Sequence, residues 1–337
     1  TRTLIACGLA VGLVGSTVPD VAANGRPPAS ISIQRETAQP DTLAFGVTFG
    51  LLLSFDSGGT WRWACEQAIG FGGIFDPDYE VGADGSLFAA TLTGLRRTTD
   101  GCTWSTVPLG APFASTIAVA GSTIFAAAAD FTDSRIYRST NNGTSFSMLS
   151  TACSAAVAPE HCGAGEWWKS IEIATSDTDR IYLSGFVFIP NPACQSGCDC
   201  ANGECPTTVK RSILFRSNDG GSSWTELATT SLATSAQSDV IIAAVSPTNA
   251  DELYVRVTQT VINEASDIIY KSTNGGDSFS VFLDLSGPAL RQEAPAVLVR
   301  ADGDVWVGGA NGLYIGQNGN PPGAATSSYH VVCLAEN

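Results

Sequence analysis

One eight-residue pattern returns along the chain and narrows what it can fold into. It stands first as Ser54-Phe55-Asp56-Ser57-Gly58-Gly59-Thr60-Trp61 and again, almost letter for letter, as Ser217-Asn218-Asp219-Gly220-Gly221-Ser222-Ser223-Trp224. Softer copies run from Ser139 to Phe146 and from Ser272 to Phe279, and a copy one residue shorter runs from Thr98 to Trp104. After the opening hydroxyl comes an Asp or Asn: Asp56, Asp100, Asn141, Asp219 or Asn274. A glycine follows (Gly58, Gly143, Gly221, Gly276), and an aromatic closes the pattern: Trp61, Trp104, Phe146, Trp224 or Phe279. Each copy separates two short strand-like runs, which is the signature of a hairpin. The Asp or Asn accepts hydrogen bonds from turn N–H groups. The glycine takes a positive φ that a Cβ would penalise, and the aromatic anchors the returning strand. Because Asn replaces Asp in two copies, the position needs an acceptor rather than a charge. The pattern therefore reads as a structural turn, not as a metal or catalytic site.

A second turn signal precedes each copy, for instance Pro40-Asp41-Thr42, Ala83-Asp84-Gly85 and Asn249-Ala250-Asp251. Strand, turn, strand, variable loop, strand, motif, strand makes a four-stranded unit. The copies start at 54, 98, 139, 217 and 272, so they are spaced by 44, 41, 78 and 55 residues. Propeller blades repeat at roughly 40–50 residues, and the 78-residue interval contains a single inner turn, so it is one unit with insertions. A sixth unit spans Ala296 to Gly319, with a degenerate motif at Gly316-Gln317-Asn318-Gly319. Ser327 to Leu334 reads as the outer strand of that unit or as the opening of a seventh. The expected fold is an all-β propeller of four-stranded blades over residues 30–337, with six units visible. A Cys-rich insertion is expected over residues 186–211.

The motif resembles the Asp box, or BNR repeat, of sialidases, sortilin-type receptors, xyloglucan hydrolases and photosystem assembly factors. That resemblance implies a hairpin between the third and fourth strands of a propeller blade. It leaves function open, since those relatives include both enzymes and binding proteins.

Seventeen Lys and Arg against 32 Asp and Glu give a formal charge of −15. A phosphate surface would repel such a chain, which excludes nucleic acid as a partner class. Arg2, the apolar run Leu4 to Val14 and the small-residue site Val21-Ala22-Ala23 read as a signal peptide over residues 1–23, with a linker over 24–29 and no membrane span in the mature chain. Ten cysteines fit an exported, oxidising setting: secreted, periplasmic or cell-surface. Cys153 and Cys162 are expected to pair across a short loop. Cys194, Cys198, Cys200 and Cys205 form a knot expected to hold two disulfides, with a Cys₄ zinc site as the less favoured alternative. Cys65 and Cys102, in the first and second units, are placed to staple adjacent blades.

All length variation falls on the connections at the strand ends opposite the motifs, which marks that side as the working surface. The most polar-aromatic stretch there is Glu160-His161-Cys162-Gly163-Ala164-Gly165-Glu166-Trp167-Trp168. Paired indoles beside carboxylates suit a glycan or polar peptide. Asp76, Asp78 and Tyr79 form a second acidic cluster on the same side. No metal or cofactor is expected, since Asp199, Asn202 and Glu204 lack the spacing of a twelve-residue calcium loop. Sialidases resemble this chain in their turns and work through three arginines, the first in an Arg-Ile-Pro motif. The nearest match here, Arg26-Pro27-Pro28, precedes the first strand. The expected function is binding of a glycan or protein without catalysis, the alternative being a sialidase-like glycoside hydrolase.

Overall fold

A computed structural model describes residues 30–323 except 36–37, 73–74, 112, 130–133, 150, 155–161, 163–164, 197, 204, 233, 236–237, 262–263, 286–293, 295 and 310–311. The signal segment, the linker and Ser327–Leu334 lie outside these described residues.

Short apolar runs punctuated by Gly- and Asp-rich turns fold as antiparallel meanders, one per repeat. Blade 1 comprises β1 (Ser30–Gln34), β2 (Leu43–Val47), β3 (Gly50–Ser54) and β4 (Arg62–Cys65). A single-turn helix, α1 (Glu66–Ile69), leads to blade 2: β5 (Asp78–Val81), β6 (Leu87–Thr91), β7 (Gly94–Thr98) and β8 (Ser105–Val107). Blade 3 holds β9 (Phe113–Ala120), β10 (Thr123–Ala129), β11 (Ser134–Ser139) and β12 (Ser147–Met148). Blade 4 holds β13 (Trp167–Ile173), β14 (Ile181–Pro190), β15 (Thr208–Ser217) and β16 (Thr225–Glu226). Blade 5 holds β17 (Asp239–Val245), β18 (Leu253–Val261), β19 (Glu264–Ser272) and β20 (Ser280–Asp284). In blade 6 the described strands are β21 (Ala296–Val299), β22 (Val305–Gly309) and β23 (Gly312–Gly316). The six sheets stand around a ring as a β-propeller, each inner strand packing on the next from β5 to β21.

The repeated turns share one hydrogen-bond scheme. In blade 4, Asp219 accepts from the Ser223 N–H at 2.8 Å and from the Ser223 and Ser217 hydroxyls, while the Gly221 N–H donates to Ser217 Oγ at 2.9 Å. Blades 3 and 5 repeat this with Asn141 and Asn274, whose side-chain carbonyls accept the Ser145 and Ser278 N–H at 3.0 Å. Two consecutive residues, not one, are left-handed: Ser57 and Gly58 at φ 57° and 90°, Gly220 and Gly221 at 67° and 85°. The first of the two donates its N–H to the inner turn of the same blade, as Gly220 does to Asp179 and Gly275 to Asp251.

The core lies between blade faces, with Phe88, Phe125, Phe215 and Trp168 fully enclosed. Polar groups on the inner strands bind one blade to the next. Asp78 Oδ2 accepts from the Thr116 hydroxyl at 2.7 Å and the Ile117 N–H at 3.0 Å. Thr116 Oγ1 accepts from the Ile171 N–H, and Ser170 Oγ from the Ile242 N–H at 2.7 Å. The same register position thus serves blades 2, 3 and 4 in turn.

Three disulfides are present among the described residues: Cys153–Cys162, Cys194–Cys200 and Cys198–Cys205. The expected staple between Cys65 and Cys102 is not formed; both are free thiols. Cys65 pairs with Gly50 at the strand ends far from the turns, whereas Cys102 sits within the turn of blade 2, so the two lie at opposite ends of their sheets. The insertion is also narrower than expected. Residues 186–190 pair with 208–212 as extensions of β14 and β15, leaving a loop at 191–207.

Candidate functional site

The strand ends opposite the turns carry a concentration of aromatic surface. Phe75 and Asp76 enter it from the segment ahead of β5, and Trp167 opens β13, where it pairs with Phe186. Phe75 and Trp167 lie 6.3 Å apart between ring centroids, Trp167 and Phe186 stack at 6.5 Å, and Phe186 meets Phe188 edge-on at 5.5 Å. The result is a four-ring ladder running from blade 2 to the extended hairpin of blade 4. Both of its ends are open: Phe75 is 48% exposed and Phe188 53%. Beside it lies a cleft of about 160 Å³, whose lining includes Phe75, Asp76, Thr91, Ser115, Trp167 and Lys169. Blade 1 adds a separate pair at the same end, Trp63 against Phe49, with Trp63 61% exposed.

Charges flank the ladder in a closed arrangement. Lys169 and Lys210 both lie over the Phe186 ring, at 5.6 and 4.8 Å, and both pair with Asp239, Lys169 at 3.1 Å. Burial pushes the Asp239 carboxyl up, but the Lys210 hydrogen bond and the two ammonium charges outweigh it and hold the group below its ordinary value. Behind Phe188, two interlaced disulfides tie down the 191–207 loop, and Asn191 fixes its base by bonding to Pro206 and Ala193.

The structure divides the residues singled out by sequence. Trp167 and Asp76 share the cleft. Trp168 has a backbone position beside them, but its ring is fully enclosed and packs edge-on against Phe215. Glu166 is 5% exposed and accepts from the Ser134 hydroxyl. Tyr79 is 1% exposed, a core residue whose hydroxyl points to the Gly50 carbonyl. Asp78 belongs to the inner-strand bonding described above, and burial pushes its carboxyl up despite the bonds from Thr116 and Ile117. Glu160 and His161 lie outside the described residues.

Sequence reasoning passed over Phe75, Phe186, Phe188, Lys169, Lys210 and Asp239. One signal was available: Phe186 and Phe188 alternate on a strand that outruns its blade, so their shared face has no neighbouring blade to cover it. It also passed over Glu172 on β13. Burial, reinforced by the Asp78 carboxylate, pushes Glu172 up to about 8.

No protein-family model matches the chain, and no curated protein matches its sequence. Solved structures do match. An ancestral GH74 enzyme aligns at TM-score 0.53 and 16% identity, over 85% of this chain and 36% of that one. The GH74 xyloglucanase of Xanthomonas campestris aligns at TM-score 0.53 and 17% identity, over 86% and 45%. A structure of YCF48 bound to a D1 peptide aligns at TM-score 0.49 and 12% identity, over 90% and 80%. The chain spans less than half the length of the two GH74 proteins. At these identities the GH74 likeness is one of architecture, and it agrees with the sheet order: the chain is a β-propeller.

Proposed function

We propose that this chain is an extracellular or cell-surface propeller of the Asp-box type that binds a glycan or protein partner, without cleaving it, at the aromatic cleft opposite the turns. The observation that carries this reading is the composition of the cleft: exposed aromatic surface and a single carboxylate, Asp76, in its lining. Exposed aromatics at one end of a rigid scaffold are characteristic of recognition surfaces. Glycoside hydrolysis in its usual form needs two carboxyl groups flanking the scissile bond. The other carboxylates near the cleft in sequence, Asp78 and Glu166, are bonded within the fold. The disulfides support an oxidising compartment. The bonding scheme of the eight-residue turn, with its Asp–Asn interchange, supports the Asp-box assignment.

A glycoside hydrolase is the second reading. The raised Glu172 carboxyl next to Asp78 favours it, because a carboxylic acid that stays protonated near neutral pH is what a general acid requires. One experiment separates the two. The oxidised protein is incubated with fluorogenic sialosides and β-glucan oligosaccharides and, in parallel, screened on glycan and peptide arrays. Binding lost on Trp167→Ala, without turnover, supports the binding reading. Turnover abolished by Glu172→Gln or Asp76→Asn overturns it.

A further inference from the structure

Apolar cores join blade 1 to 2, 2 to 3, 3 to 4, 4 to 5 and 5 to 6. Among the described residues no such core joins blade 6 to blade 1, although both faces bordering that seam are apolar. On blade 1, Ile33, Phe45, Leu52 and Trp63 are successive register partners across the sheet, so they share one face. That face is turned away from Ala44 and Leu51, which meet blade 2. On blade 6, Leu298, Trp306 and Ile315 form the same kind of row, behind Val299 and Val307, which meet blade 5. Next to the axis both rows are bare: Ile33 is 54% exposed and Leu298 56%. In the joined seams the inner-strand residues Ile117, Ile171 and Val240 are each 1% exposed. Bare apolar rows of this kind mark a docking surface.

The chain leaving blade 6 borders this seam. Gln317, Asn320, Pro321 and Gly323 line a hollow of about 470 Å³ together with Ile315, a member of the seam row. Beyond it lies Ser327–Leu334, whose sequence suits an inner strand better than an outer one. The outer strands β8, β12 and β16 are two or three residues long, whereas the inner strands β9, β13 and β17 have seven or eight. Ser327–Leu334 has eight, with Tyr329, Val331 and Cys333 on one side of the alternation and Val332 and Leu334 on the other. Apolar residues on both sides are what a strand packed between two blades requires. The signal of an inner turn comes next. Cys333-Leu334-Ala335-Glu336-Asn337 aligns with Val81-Gly82-Ala83-Asp84-Gly85 and with Val299-Arg300-Ala301-Asp302-Gly303, each at the end of an inner strand. Gly85 and Gly303 are left-handed, at φ 81° and 89°, and Asn is among the few other residues that tolerate that conformation.

We propose that Ser327–Leu334 docks in the seam between blade 6 and blade 1 as an inner strand, covering Leu298 on β21 and Ile33 on β1. By the alignment with β21, Val331 and Cys333 turn toward Leu298 and Val332 turns toward Ile33. The seam is thus an interaction surface whose partner is a segment of the same chain, and it stands independently of the aromatic cleft.

The test is amide hydrogen exchange of the whole, oxidised chain, read by mass spectrometry, beside a synthetic peptide of residues 327–337. Within the protein the amides of 328–334 are expected to exchange about a hundredfold more slowly than in the peptide. Ile33→Asp and Leu298→Asp each set a charge against the docked strand and should speed its exchange about tenfold. Val281→Asp, on the exposed outer strand of blade 5, should leave it as in the parent. Parent-like exchange of β9 and β13 in every variant certifies the fold. Exchange of 328–334 at the rate of the free peptide in the unsubstituted protein overturns the inference. Protection that survives either seam substitution at the parent level overturns the seam as its place and leaves the segment as an outer strand of blade 6. A dimer in sedimentation that Ile33→Asp disperses gives the seam to a second copy of the chain, which also overturns it.

Discussion

The Arg216 guanidinium, at the end of the third strand of blade 4, donates to the main-chain carbonyl of Gly275 in the turn of blade 5 at 2.7 Å. It also reaches the Asp277 carboxylate at 3.0 Å. The relationship repeats. Arg138 lies against Gly220 of blade 4, and Lys271 donates to the Gly319 carbonyl of blade 6 at 2.9 Å. Each cation immediately precedes the hydroxyl that opens its own turn motif. Arg138 and Lys271 are also held over an aromatic ring on the paired strand, Phe125 and Tyr254. Blades 4 and 5 therefore latch the turns of their successors by a hydrogen bond, and blade 3 sets its guanidinium against the turn of blade 4.

The latch predicts that Arg216→Met destabilises the protein by about 1.5–3 kcal/mol, the usual range for hydrogen bonds involving a charged group. Urea unfolding checks this. A midpoint indistinguishable from the parent would show that the contact is incidental to stability.

The turn glycines are not equivalent. A Cβ on Gly276 would stand 2.5 Å from Leu227 of blade 4, whereas one on Gly58 would meet only Trp61 and Leu43 of its own blade, at 3.6 and 3.7 Å. Both have φ near 90°. Gly58→Ala should cost about 1–2 kcal/mol through backbone strain alone. Gly276→Ala should cost about 2–4 kcal/mol, because overpacking adds to the strain. Equal losses in chemical denaturation would contradict this ranking.

Asp56 is held at about 2 by the Thr60 N–H, the Thr60 hydroxyl and the Ser54 hydroxyl. A carboxyl depressed in the folded state stabilises it above the ordinary value of 3.8, and that contribution disappears as pH falls through 2. Asp56→Asn should melt as the parent does at pH 7, since Asn141 and Asn274 accept the same backbone bond and turn their amide N–H groups toward the hydroxyl instead. It should also lose less stability than the parent between pH 4 and pH 2. Asp56→Ala, with no acceptor, should melt several degrees lower at pH 7.

Glu172 runs the other way. With its carboxyl raised from 4.5 to about 8, the folded protein holds a proton that the unfolded chain releases. Stability from this group is therefore complete below pH 4.5 and is lost as pH rises to 8. Glu172→Gln should match the parent at pH 4.5 and melt several degrees higher at pH 8.5. Parallel melting curves for the two proteins across that range would remove Glu172 as the cause.

The repeats were legible because everything that defines them is local. Asp219 and the groups it binds lie within four residues of it, so an Asp, a glycine and two hydroxyls are enough to specify the turn. The strand order followed from the alternation of such turns. The basic residue ahead of four of the five copies was equally visible, but its purpose lies 59 residues away for Arg216 and Gly275.

What the chain alone determined was therefore the unit and its repetition: hairpin turns, blade length and the number of visible units. What only the tertiary structure decided was which side chains meet. Phe75 reaches Trp167 across blade 3, and Lys169 reaches Asp239 in the next blade. Trp167 and Trp168, adjacent in sequence, go to the cleft and to the core because successive residues of a strand face opposite ways. Cys65 and Cys102 stay apart for a similar reason, lying at opposite strand ends of neighbouring sheets. Turn chemistry acts over a few bonds and is written in the order of residues. A binding cleft is assembled from several blades, and its membership depends on where the closed ring brings their ends together.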